Sequence, residues 1–163
     1  MMKKFLASLH IVILGLIPAG ALAGSGQINI SKAWIQEAPP SSTVHGGFMT
    51  ILNRGDEAMT ITSVESPSYE EVQMHKSEEK DGMASMIRQK ELKIPAHSVL
   101  ELKPGSYHLM LMKPEKKMKA GDEVKLIIHF SNGEQISQIA TVQKKSDAMS
   151  GMDHSTHMDH SMH

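Results

Sequence analysis

The stretch Gly105-Ser-Tyr-His-Leu-Met-Leu-Met112 alternates residue by residue. Read as a strand, it puts Leu109 and Leu111 on one face and His108, Met110 and Met112 on the other. The leucines belong to a core. The other face is then outward and carries imidazole and thioether.

The same grammar runs from Gln27 to about Val142 as short β-runs between turn residues. Runs at 28–35, 48–52, 59–64, 69–75, 83–89, 92–94, 98–102, 107–112, 124–130 and 135–142 are separated by breakers such as Pro39-Pro40, Pro95-Ala96, Lys103-Pro-Gly105 and Ser131-Asn-Gly133. No sustained 3.6-residue period competes. The pattern predicts an all-β domain, an antiparallel sandwich or barrel. Val124, Leu126, Ile128 and Phe130 would line the core side of a late strand and turn Lys125 and His129 outward.

Residues 1–23, MMKKFLASLHIVILGLIPAGALA, have a basic start, an apolar stretch and a small-x-small ending at Ala21-Leu-Ala23. That reads as a secretory signal peptide cleaved after Ala23, so the expected location is the periplasm, with no membrane insertion after cleavage. The leader carries Lys3 and Lys4 and no acid. The mature chain therefore has 15 basic and 18 acidic residues, from totals of 17 and 18. A mildly acidic protein is a poor partner for nucleic acid or anionic membrane. The absence of cysteine excludes disulfides, thiolate metal sites and a lipidated Cys.

The biased residues are 14 Met and 10 His, against three Phe, two Tyr and one Trp. In the hairpin around Lys80-Asp-Gly82, a loop centred between Lys80 and Asp81 sets His75 directly opposite Met86. Alternation turns Met74 to the core with Val72, and Met86 outward with Ala84 and Arg88. His108 and Met110 leave one face of their strand less than about 7 Å apart. Each residue alone has a plain structural role: Met fills core gaps, and a lone strand His is usually solvated. His45, His97, His129, Met49, Met59, Met83 and Met118 are read that way. Together, however, two imidazoles and two thioethers suit Cu(I), whereas zinc favours Cys or carboxylate with His, and Mg or Ca favours oxygen. Met112 is either a further ligand or a hydrophobic shield.

His75, ten residues, Met86, twenty-one residues, then His108-Leu109-Met110 resembles the H-x10-M-x21-H-x-M pattern of the periplasmic copper chaperones called PCuAC. The surrounding Lys103-Pro-Gly-Ser-Tyr-His-Leu-Met-Leu-Met112 and Gly121 before a late strand are similar as well. The resemblance spans about residues 27–142. It implies a cupredoxin-like Greek-key β-sandwich binding Cu(I) at His75, Met86, His108 and Met110. It also implies delivery to the copper-bearing subunit of cytochrome c oxidase, alongside a Sco-type thiol protein.

Composition divides the mature chain into a domain at 24–144 and a tail at 145–163. From Asp147 onward the sequence has no branched aliphatic or aromatic residue, so the tail is expected to lack fixed structure until it binds something. His154, His157, His160 and His163 recur every third residue, interleaved with Met149, Met152, Met158 and Met162, and MDHS occurs twice. Such a tract reads as a second metal site, taking Cu(II) through its imidazoles and Cu(I) through its thioethers.

Enzymatic alternatives lack their parts. Cleavage leaves Gly24 first, not the His that a histidine-brace monooxygenase needs. A blue-copper centre needs a Cys thiolate, and no Ser-His-Asp set or paired acids stand out. The remaining rival to a carrier is copper sequestration, with the tail as a sponge.

Overall fold

The computed structural model describes residues 27–80 and 82–150. The leader, the Met149 side chain and residues 151–163 lie outside that description, and with them the predicted cleavage site and the tail ligands from Met152 to His163.

Ten strands follow in order: β1 Ile28–Gln36, β2 Val44–Asn53, β3 Met59–Glu65, β4 Tyr69–Lys80, β5 Met83–Gln89, β6 Leu92–Ile94, β7 Ser98–Leu102, β8 Tyr107–Pro114, β9 Glu123–Phe130 and β10 Gln135–Gln143. One short helix, α1 Lys145–Ser150, succeeds them. Each predicted run became a strand, so the all-β class holds. The strands hydrogen-bond in the order β5-β4-β8-β7-β2-β1-β10-β9-β3-β6, with β8 also pairing directly to β2. Most pairs are antiparallel, as expected. β1 with β10 is parallel, the two being far apart in the chain, and β7 meets β8 in parallel only through the single pair Leu102–Tyr107 that flanks the turn at 103–106.

The sheet folds over so that β3 packs on β4, enclosing a core fed by alternate residues. Ile35, Ile51, Leu109, Leu111, Val124, Leu126 and Ile128 are wholly buried, and Phe130 nearly so. Met49, Met74 and Met118 are buried with them, which accounts for three of the methionines as packing. Asn53 is the polar pin of this interior. Its amide donates to the carbonyls of Glu57, Ile94 and Pro95, and its oxygen accepts from Gly55 N–H.

The β4–β5 hairpin is longer than the sequence suggests. Lys80 pairs with Met83, leaving a two-residue connection that ends in Gly82 at φ 76°. Only a residue tolerant of the left-handed region serves there, so Gly82 suits the turn, and the Lys80–Met83 pair moves the centre of the hairpin. The predicted pairing of His75 with Met86 is therefore corrected by two residues: His75 lies opposite Arg88, and Met86 opposite Ser77. A shift of two preserves the faces, whereas a shift of one would have reversed them.

Candidate metal centre

β8 organises the site because it is paired on both sides. Across the β4–β8 ladder His75 is opposite His108, Gln73 opposite Met110, and Glu71 opposite Met112. The intervening pairs, Val72 with Leu111 and Met74 with Leu109, point to the core. All five singled-out residues, His75, Met86, His108, Met110 and Met112, thus share the outer face of three adjacent strands. The His75 and His108 rings stand 6.0 Å apart, centroid to centroid. Met86, on edge strand β5, is diagonal to His75 and 63% exposed.

His108 departs from expectation. It lies on the outer face yet is only 7% exposed, because the face is walled. The turn Lys103–Ser106 supplies one wall. Ser106 N–H donates to the Lys103 carbonyl at 3.1 Å, and Gly105 takes φ 79° at its tip. The Ser106 carbonyl then accepts from Ser77 N–H at 3.1 Å and stands 2.9 Å from His108 Nδ1. A carbonyl oxygen only accepts, so His108 carries its proton on Nδ1 and leaves the Nε2 lone pair free.

The other wall comes from β2. Gly46 faces Met110 in the β2–β8 ladder. A Cβ at Gly46 would stand 3.1 Å from the Phe48 ring, so the glycine leaves the room that ring occupies. Phe48 in turn stacks at 4.5 Å on Trp34, its partner in β1. This aromatic pair sits outside the main core cluster and forms an apolar rim to the His/Met face. Between the walls opens a cavity of about 270 Å3, lined by Met86, His108 and Met110 together with Gln36, Gly46 and Phe48. Neither His75 nor Met112 lines this cavity: His75 stands across the ladder from His108, and Met112 lies one pair farther along, beside Glu71 and Val44.

His75 Nε2 is 2.8 Å from Gln73 Oε1. Burial, then the neighbouring His108 and Arg88, hold the His75 imidazole below its ordinary pKa. It is therefore neutral, the form that binds metals, to lower pH than a solvated His. Among the described residues no group of three or more His, Asp or Glu is arranged to hold an ion. The donor set here is nitrogen with thioether sulfur.

Of the histidines read as structural, His97 is paired with Asp56 at 2.9 Å, and His129 stands 3.5 Å from Glu65. His45 differs: it is buried, its Nδ1 has no partner, and it also borders the cavity. Sequence patterning missed it because His45 shares the core-facing side of β2 with Gly47 and Met49. Phe48 was missed for the opposite reason, being a buried aromatic on an outward position.

The profile of the family "Putative lipoprotein LpqE-like" matches residues 28–142. A "Putative lipoprotein Lxx21020" of Leifsonia xyli subsp. xyli is 31% identical over 121 residues, covering 72% of each chain. Among solved structures, the copper-bound PCuAC domain from PmoF2 superposes with a TM-score of 0.62 at 21% identity, covering 73% of this chain and 94% of that one. The Cu(I) form of DR1885 from Deinococcus radiodurans gives 0.60 at 27% identity, covering 78% and 87%. The ten-strand fold is that of the PCuAC domains, and the chain belongs to the LpqE-like family.

Proposed function

We propose that the protein is an exported, non-catalytic copper carrier that holds Cu(I) through His75, Met86, His108 and Met110. The observation that carries this reading is the His75–His108 pair, set in register beside Met110 and Met86 on one face. Two neutral imidazoles and two thioethers form a soft, uncharged donor set, which favours Cu(I) over zinc or the oxygen-seeking ions. An exposed Met86 and a shallow cavity suit a cargo that must leave again. Met112 serves as shield. The Cu(I)-bound state of the Deinococcus protein and the copper-bound PmoF2 domain support the same cargo.

The proposed route is export by the leader, folding of residues 24–144, and transfer of Cu(I) to the copper-bearing subunit of cytochrome c oxidase with a Sco-type thiol protein. The word lipoprotein in the relatives' names fits an exported chain, although this one has no cysteine to carry a thioether-linked lipid. The tail from Lys145 supplies a second metal-binding tract. Gln143, at the end of β10, pairs with Gln36, which lines the cavity, so the tail begins beside the site. A metal-binding tract that starts there would concentrate copper near the fixed ligands.

Mixing Cu(I)-loaded protein with an apo Cu(A) domain, with and without a thiol reductant, tests delivery through the centre's visible absorption. Transfer supports the carrier. Retention of copper under both conditions favours sequestration, the reading that the His/Met-rich tail itself recommends.

A further inference from the structure

A row of polar groups runs beside His75 on the same face. Arg88 Nη2 lies 3.5 Å from Glu71 Oε1, and the Gln73 amide nitrogen donates to that same oxygen at 2.7 Å. The Gln73 carbonyl oxygen is 2.8 Å from His75 Nε2. These contacts fix one another. A carboxylate only accepts, so the NH2 end of Gln73 must face Glu71 and its oxygen must face His75. That oxygen also only accepts, so His75 bears its proton on Nε2. His75 Nδ1 is buried without a partner. It is therefore the nitrogen with a lone pair to give. His108 is the reverse, its proton held on Nδ1 by the Ser106 carbonyl.

We infer that Gln73, braced by Glu71 and Arg88, is a positioning residue for the metal: it holds His75 in the tautomer that binds through Nδ1, while His108 binds through Nε2. Neither ring has to lose a proton when metal arrives. The two rings, in register across β4 and β8, have opposite nitrogens free of a proton, which distinguishes two residues that the strand pairing alone would make equivalent. The arrangement parallels the carboxylate-backed histidines of metal sites, with an amide inserted between carboxylate and ring. Arg88 occupies the place opposite His75 that the sequence assigned to Met86, so the two-residue shift of the hairpin is what completes the row.

The inference rests on the copper reading for its metal, but the tautomer belongs to the metal-free protein and can be tested alone. Long-range proton–nitrogen NMR of the full chain, labelled at its imidazole nitrogens, should show His75 protonated at Nε2 and His108 at Nδ1. On adding Ag(I), a d10 stand-in for Cu(I) whose nuclei couple to bound nitrogen, coupling should appear at His75 Nδ1 and His108 Nε2. Gln73→Leu should lower Cu(I) affinity about tenfold or more, as loss of an outer-shell partner does. The exchanged pair Glu71→Gln with Gln73→Glu restores an acceptor at His75 and should recover affinity to within about threefold of wild type. A His75 proton on Nδ1, coupling at His75 Nε2, or unchanged affinity in Gln73→Leu each overturns the role of Gln73. If His108 couples to Ag(I) and His75 couples through the wrong nitrogen, only this inference fails. If neither ring responds to Ag(I) or Cu(I), the copper reading fails with it.

Discussion

His75 and His108 face each other across the β4–β8 ladder with ring centroids 6.0 Å apart, although they are thirty-three positions apart in the chain. That distance is too long for a hydrogen bond and suited to an ion between or above the rings. Replacing His108→Ala together with Met110→Leu removes two donors from one strand while Leu109 and Leu111 keep their places in the core. Tight Cu(I) binding should be lost by more than about 100-fold, since even outer-shell partners contribute 10- to 100-fold. A competition titration against a colorimetric Cu(I) chelator measures it, with circular dichroism to check the fold. Unchanged affinity would remove β8 from the site.

Gly46 tests the aromatic wall. A Cβ at that position meets the Phe48 ring at 3.1 Å, so Gly46→Val must displace the ring and crowd Met110. Overpacking of this kind costs about 1–3 kcal/mol. The melting temperature should fall, and Cu(I) should dissociate faster as the cavity narrows. Gly46→Val with Phe48→Ala should relieve the crowding, leaving the double variant less destabilised than the sum of its parts.

His45 makes the fold acid-sensitive. Burial is the main cause that holds its imidazole below the ordinary value of about 6.5, against a smaller opposing contribution from the Gln36 backbone. Because the folded value is the lower one, the unfolded chain takes up the proton first as pH falls. The stability tied to neutral His45 is complete above about pH 6.5. It declines as pH drops towards the folded value, with a slope of at most about 1.4 kcal/mol per pH unit. Urea midpoints between pH 7.5 and 5 should show a steeper decline for wild type than for His45→Gln. Parallel curves would mean that His45 contributes nothing to the acid limb.

Truncation after Lys145 separates the two metal tracts. The shortened chain should keep one Cu(I) at the folded site and lose most Cu(II) binding, read by metal analysis after gel filtration. Equal stoichiometry for both oxidation states in the long and short chains would show that the tail holds no metal.

Period-two patterning was enough to place the strands, most of which have a face that must be dry, although β5 is exposed along almost its whole length. It also separated Met74 from Met86 and put His75, His108 and Met110 on one side. Register was harder to read. The sequence gives Asp81-Gly82 as a turn but says little about how far β4 continues past His75, since Ser77, Glu78 and Glu79 are as polar as loop residues. The walls of the site were not legible for a different reason. His45 is inward and Phe48 outward by alternation, and both are buried by elements distant in sequence. Gln73 looked like one more polar strand residue until Glu71 and Arg88 were seen to fix which way its amide points.

β10 lies inside the sheet, between β1 and β9, and it is the last strand among the described residues. It joins one half of the molecule, β5 through β1, to the other, β9 through β6. Folding cannot close that seam until the residues up to about 143 are free to pair. Such long-range closure is slow. The His75–His108 pair lies wholly within one half, on β4 and β8, away from that seam.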